Sequence, residues 1–311
     1  MNENLTRNQR LLGGLWGSLA GDALGVPVEF KSRAEVQSDP VTGMRSGGSH
    51  GQPAGTWSDD SSLLLCSAES LVEHEFSVSD MAQRFARWRR EGLWTPHGVV
   101  FDIGIATSRS LSRVDAGIPP LECGGRDQHD NGNGSLMRIL PVCLRFAGSE
   151  SPVMVKNVEN ASSITHAHPR SRMACVFFGF FVREVLAGAS PPSALSAAQS
   201  AFRAEYGDQN ELFAFTNALD PRLPQFPESE IRSGGYVMET LTASLWCLLT
   251  TNSFSECVLK AVNLGGDTDT TGCVAGGLAG VYYGLDSIPR EWMDTLARKE
   301  DVARLFNQFV S

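Results

Sequence analysis

The chain has 311 residues, 42% hydrophobic and 20% charged, enough apolar side chain for a sizeable core within one domain spanning residues 1–311. Its 26 basic and 35 acidic residues leave a net charge of −9, and the only basic grouping, Arg84, Arg87, Arg89 and Arg90, falls on one expected, solvated helix face, which argues against general nucleic-acid binding. Seven cysteines, at 66, 123, 143, 175, 247, 257 and 273, include no C-x-x-C pair, a reduced cytoplasmic pattern that argues against structural zinc.

Apolar residues recur at helical spacing along nearly the whole chain. Leu11, Leu12, Leu15, Trp16 and Leu19 mark a first helix. Arg7 and Arg10 before it imitate a signal peptide, but Gly13, Gly14 and Gly17 suit close helix packing, so export is not expected. No apolar run approaches the ~18 residues of a membrane span, and no membrane partner is expected. Leu63, Leu64, Ala68, Leu71 and Val72 mark a second helix, and Ser79-Asp80 reads as the cap of a third that carries Met81, Phe85 and Trp88. Further helices are predicted near 99–113, 135–147, 153–163, 169–188, 192–204, 235–250, 254–263, 270–284 and 289–309. No segment alternates with period two between hairpin turns. The fold class is therefore all-α, a compact multi-helix bundle, with Gly-, Pro- and Asn-rich loops at 40–57, 114–134 and 218–235 as places for a cleft.

Two acid clusters stand out. Trp57-Ser58-Asp59-Asp60-Ser61 and Gly265-Gly266-Asp267-Thr268-Asp269-Thr270-Thr271-Gly272 each put two carboxylates and several hydroxyls just before an apolar helical run. Asp and Ser are ordinary helix N-caps, which accept amide hydrogens of the first turn. The second cluster holds more acids and hydroxyls than one cap needs. Hard oxygen ligands suit Mg²⁺ or Mn²⁺, and four carboxylates brought together require cations between them, so a two-metal site competes with capping.

Other groups are individually open. Asp130-Asn131-Gly132-Asn133-Gly134-Ser135 leading into a helix is either a turn with a cap or an anion cradle of free amides. Asp22 among small residues is a cap or an ion-pair partner. Glu29 between Val28 and Phe30, and Asp102 in Phe101-Asp102-Ile103-Gly104, are each a salt-bridge partner or a tuned acid or base. His166 and His168 form a lone H-x-H that lacks the further ligands zinc requires.

Taken in order, G-D-A-L-G-x-x-x-E-F, S-D-D-S, D-I-G, N-G-S-L-M-R, I-T-H-x-H-P and G-G-D-T-D-T-T-G closely resemble the ADP-ribosylglycohydrolases, most of all the bacterial branch containing the dinitrogenase-reductase-activating glycohydrolase. The resemblance runs from about residue 11 to 286. It implies an all-α orthogonal bundle that cleaves the N- or O-glycosidic bond between ADP-ribose and an acceptor, with two Mg²⁺ or Mn²⁺ ions in the cleft. It implies metal binding by Ser58, Asp59 and Asp60 from one side and by Asp267, Asp269 and Thr270 from the other. Glu29 matches the family glutamate on a flexible segment over the site, and Asp102 an aspartate that handles protons near the ribose. Gly132, Asn133, Gly134 and Ser135 match the diphosphate loop, His166 a histidine of the ADP-ribose pocket, and Tyr236 a tyrosine near the adenosine end. Ser58 and Ser61 stand where many members carry Thr, with a less restrained hydroxyl.

The function expected from the resemblance is hydrolysis of an ADP-ribosylated protein side chain, arginine foremost, releasing ADP-ribose. The alternatives are a two-metal hydrolase of free nucleotides or small-molecule ADP-ribose conjugates, and a protein that binds ADP-ribose without turnover.

Overall fold

The computed structural model describes residues 5–311, so the first four residues of the expected domain lie outside the described residues. The described residues form fifteen α-helices, with a few 3₁₀ turns and no strand among them. In chain order these are α1 (Arg7–Gly25), α2 (Arg33–Ser38), α3 (Asp59–Glu73), α4 (Val78–Glu91), α5 (Ile105–Asp115), α6 (Pro120–Cys123), α7 (Leu140–Phe146) and α8 (Ser151–Ser163). There follow α9 (Pro169–Leu186), α10 (Pro191–Tyr206), α11 (Val237–Leu249), α12 (Phe254–Val262), α13 (Thr268–Tyr283), α14 (Arg290–Thr295) and α15 (Lys299–Val310). The all-α class read from the periodicity is the observed one.

The central pair is α1 against α13. Glycines repeat every fourth residue on both helices, at 13, 17, 21 and 25 and at 272, 276 and 280, and each row forms one bare face. The rows meet: a Cβ at Gly17 would overlap the Gly276 carbonyl, and one at Gly21 the Gly272 carbonyl. Only glycine permits backbones this close. The contact carries the C-terminal end of α1, with Asp22, to the N-terminal end of α13, with Asp269. The first helix and its following turn (7–28) have the length and hydropathy of a membrane span, yet 94% of that apolar window is buried inside the protein. Helices α3, α7, α9, α11, α12 and α15 pack against this pair, α4 packs on α3, and α8 and α10 pack on α9; buried apolar side chains from Leu11 to Phe309 form one cluster.

Several predicted boundaries moved. The helix expected over 135–147 begins only at Leu140, because Pro141 has no N–H for the carbonyl of residue 137 and its ring crowds that carbonyl, which confines it to a first turn. The stretch 99–104 is a loop, and Gly104 caps α5. The expected 289–309 helix is split, since Ala297 N–H bonds the Gly55 carbonyl at 3.0 Å and Arg298 turns left-handed (φ 46°). The cap of α4 is Ser77, which accepts from Asp80 N–H, and not Ser79. The Arg84 face is a paired one: buried Arg84 bonds Asp80 at 2.7 Å and pairs with Glu69 and Glu73, while Arg89 and Arg90 pair with Asp115. All seven cysteines are free and buried, as small core residues.

Candidate active site

Three helix starts and two loops meet around a cavity of about 330 Å³. The first acid cluster opens α3. Ser58 is its N-cap and accepts from Asp60 N–H at 3.2 Å. The cluster is braced from α1: Asp22, fully buried, accepts from Ser58 N–H at 2.9 Å, Ser61 N–H at 2.9 Å and the Ser61 hydroxyl at 2.5 Å. Asp22 thus caps another helix from a distance. Burial pushes its carboxyl up to about 6, against the hydrogen bonds from Ser61 and Ser58 that lower it.

The second cluster opens α13 after Gly265 and Gly266, both left-handed (φ 74° and 77°). Asp269 Oδ1 accepts from Thr270 N–H at 2.9 Å, and the Thr270 hydroxyl reaches Asp60 Oδ1 at 3.4 Å. Asp267 Oδ2 accepts from Asn133 Nδ2 at 2.8 Å. Asp59, Asp60, Asp102, Asp267 and Asp269 all line the cavity, and Glu29, Asp267 and Asp269 each offer an oxygen within 4.8 Å of the others'. Burial first, then mutual repulsion among these carboxylates, raises Asp59, Asp60 and Asp269 well above the usual range.

Two of these oxygens, Asp60 Oδ2 and Asp267 Oδ1, are buried with no hydrogen-bond partner among the described residues. Among the described residues, no Lys or Arg lines the cavity to offset the acids. Buried, unpaired carboxylate oxygens are costly unless a cation meets them. The donors are all hard oxygens, and the set fits a divalent ion of the Mg²⁺ or Mn²⁺ kind. Capping and ligation are therefore not rivals here: Ser58 caps, while the Asp59, Asp60 and Asp269 carboxylates remain turned to the cavity.

Glu29 closes one side. Its segment is strapped to the second cluster by Phe30 N–H to the Gly266 carbonyl (2.8 Å) and Gly266 N–H to the Lys31 carbonyl (2.7 Å). The side chain is buried, with Oε2 at 2.8 Å from His50 Nε2. Burial, with Asp102, Asp267, Asp59 and Asp22 nearby, pushes Glu29 up to about 9. Burial also raises Asp102. The His50 ring lies 5.2 Å from Phe101 and 6.1 Å from Phe30. His50 escaped the sequence reading because it stands alone in the 40–57 loop, where no spacing ties it to Glu29. His129, which lines the cavity, was missed although it directly precedes the Asp130–Ser135 group, because a single loop histidine gives no sign of which way it faces.

The Asn-Gly loop forms the opposite wall. Asn133 N–H bonds the Gly235 carbonyl (3.0 Å), and Val237 N–H bonds the Asn131 carbonyl (3.0 Å). Gly132, Asn133, Gly134 and His166 line the cavity. Ser135 does not: it is fully buried and accepts from the Ser162 hydroxyl at 2.9 Å, so its side chain braces the loop from behind. Tyr236 sits one residue beyond the lining Gly235, and its hydroxyl accepts from Arg170 Nη1 at 3.1 Å. His168 is the N-cap of α9, accepting from Arg170 N–H at 3.2 Å.

An all-helical scaffold gathering carboxylates from two helix starts under a glycine-rich wall defines a hydrolase whose cavity is suited to hard cations. The chain belongs to the ADP-ribosylglycohydrolase family, which it matches over residues 3–311. It is 33% identical to the ADP-ribosylarginine hydrolase Tri1 of Pseudomonas putida, over 95% of this chain and 76% of that one. It is 30% identical to the ADP-ribosyl-[dinitrogen reductase] glycohydrolase of Rhodospirillum rubrum, over 94% of this chain and 92% of that one. A solved structure, of an ADP-ribosylglycohydrolase-related protein complex, superposes with a TM-score of 0.81 at 34% identity, covering 98% of both chains. The protein is an ADP-ribosyl hydrolase, a glycosyl hydrolase by class.

Proposed function

We propose that this enzyme removes ADP-ribose from a modified arginine on a protein by hydrolysing the bond at the anomeric carbon, with two Mg²⁺ or Mn²⁺ ions in the cavity. The observation that carries the reading is the convergence of buried carboxylates, two oxygens of them unpartnered, in a cavity that no Lys or Arg among the described residues lines. Arginine as acceptor is supported by the Tri1 relatives of Pseudomonas putida and Serratia proteamaculans, both named ADP-ribosylarginine hydrolases. The continuous core supports one domain as the working unit.

Asp59, Asp60, Asp267 and Asp269, with the hydroxyls of Thr270 and Ser58, would hold the metal pair. Such a pair supplies charge neutralisation, a grip on sugar hydroxyls and Lewis-acid activation of water. The chain's own residues do the rest. Gly132, Asn133 and Gly134 shape the wall against which the diphosphate lies, and binding energy gained there orients the reacting sugar. Cleavage builds positive charge at the anomeric carbon, and the surrounding carboxylates stabilise that charge. Glu29 and Asp102, both at the cavity, stand where a proton can be taken from the attacking water and returned to the leaving nitrogen of arginine.

The test is product analysis. ADP-ribosyl-arginine protein is incubated with the purified enzyme and Mg²⁺ or Mn²⁺, and products are identified by mass spectrometry. Intact ADP-ribose and unmodified arginine are expected, with activity lost in a chelator. Release of AMP would mean a phosphohydrolase, tight ADP-ribose binding with no release a binding protein, and activity only on serine-linked substrate a different acceptor.

A further inference from the structure

Arg138, the last residue of N-G-S-L-M-R, is fully buried and has no carboxylate partner among the described residues. Its Nη2 donates to the Thr165 hydroxyl at 2.7 Å and to the Ala161 carbonyl at 3.2 Å. Its carbon Cζ lies 4.4 Å from the centre of the Phe85 ring, while Nε and Nη1 have no hydrogen-bond partner. A buried guanidinium so poorly compensated is expensive, and an apolar side chain would pack there more cheaply. It persists beside one functional group. The Thr165 hydroxyl that it bonds lies 2.8 Å from His166 Nδ1, and His166 lines the cavity.

The proton count at Thr165 is restrictive. A hydroxyl has one proton to donate and lone pairs to accept with, and a guanidinium can only donate. Arg138 therefore occupies an acceptor position on Thr165 Oγ1. Thr165 is itself fully buried, and its hydroxyl proton has one acceptor within reach, His166 Nδ1. If Nδ1 carried the proton instead, the hydroxyl would accept twice and its own proton would be buried without an acceptor, a penalised arrangement. The other ring nitrogen faces the Asn-Gly loop. A Cβ at Gly134 would fall 3.3 Å from Nε2, and one at Gly132 3.5 Å.

We propose that Arg138, acting through the Thr165 hydroxyl, fixes His166 as the neutral tautomer with its proton on Nε2, so that the ring presents an N–H donor to an anionic oxygen of the ligand at the Asn-Gly loop. Arg138 and Thr165 are positioning residues, which touch the ligand only through His166. Burial, assisted by the Arg138 charge, also pushes His166 down to about 3, so the ring stays uncharged. The ligand side of this inference rests on the ADP-ribose reading given above; the tautomer does not.

The experiment uses the full chain labelled with ¹⁵N at histidine, with the His166 signals identified by their loss in His166→Gln. Wild type is expected to show a protonated-type Nε2 and an unprotonated-type Nδ1. Thr165→Val removes the hydroxyl at nearly constant volume, and the pattern should average or invert; Thr165→Ser should restore it. Arg138→Met should loosen the same pattern, with Arg138→Lys, which keeps a donor, closer to wild type. In calorimetry ADP-ribose should bind Thr165→Val about tenfold more weakly, with recovery in Thr165→Ser, the value of one hydrogen bond to a charged acceptor. An Nδ1-protonated ring in wild type, or an unchanged tautomer in Thr165→Val, overturns the proposal. A correct tautomer shift in a protein that does not bind ADP-ribose overturns the functional reading alone.

Discussion

The Thr270 hydroxyl lies 3.4 Å from Asp60 Oδ1, joining the start of α13 to the start of α3 across 210 positions of sequence. At this contact the two acid clusters become one site. Neither helix could hold it alone, because each is placed by a third, α1, which grips α13 through its glycines and caps α3 through Asp22. The acids are thus imposed by packing on a charge distribution that opposes it, which makes the site's electrostatics measurable.

Asp60→Asn and Asp267→Asn should move stability and activity in opposite directions. Each removes one buried charge from a repulsive set, so the metal-free variants should melt higher than metal-free wild type, by the equivalent of about 1–3 kcal/mol. Each also removes a ligand, so ADP-ribose release should fall on the order of 100-fold. Thermal melts with and without Mn²⁺, paired with a product assay, check both. A variant that still gains stability from Mn²⁺ as wild type does would remove that carboxylate from the metal set.

The pH dependence follows from the raised carboxyls. Glu29 stands at about 9 and Asp22 at about 6, above ordinary values near ~4. Between those values the native state holds protons that the unfolded chain has released, so the stability contribution is full below pH ~4 and is lost as pH rises through 6 and then 9. In a chelator the melting temperature should decline from pH 5 to 9 through these groups. Excess Mg²⁺ or Mn²⁺, which binds the deprotonated acids, should stabilise more at the high end of that range. A metal effect that does not change with pH would contradict the coupling.

His50, flanked by the Phe30 and Phe101 rings, holds Glu29 by a 2.8 Å contact. His50→Ala should lower kcat by about tenfold, with a smaller effect on KM, because Glu29 loses its orientation while the Asn-Gly wall is untouched. His50→Gln, which can still donate, should recover part of the loss. Steady-state kinetics on ADP-ribosylated protein decide; equal loss in both variants would point to a role of the imidazole beyond orientation.

Gly21→Ala should be strongly damaging. The added methyl would overlap the Gly272 carbonyl and force α1 and α13 apart. Overpacking of this kind costs about 3 kcal/mol, and it should also abolish Mn²⁺-induced stabilisation, since Asp22 and Asp269 ride on the separated helices. Denaturant unfolding and metal-shift melts report the two effects. Gly47→Ala, where a Cβ meets nothing but φ is 104°, should cost less and spare the metal response.

Much of this was legible without coordinates. Apolar periodicity located most helices because core-facing side chains must repeat with the helical turn, and the acid clusters showed themselves because caps and hard ligands draw on the same residues. The glycines at 13, 14 and 17 announced close packing, although not against which helix. Those features are local, set by neighbours within a turn or two of chain. What only the tertiary structure decided depends on where distant segments land. It turned Ser135 into the core, made Asp22 a cap for a helix it does not belong to, and brought His50 to Glu29 and Arg138 to Thr165. It also broke the last predicted helix where residue 297 docks on residue 55. A carboxylate, an imidazole or a hydroxyl carries the same letter whichever way it faces, and its partners, burial and proton are settled only when the helices have packed.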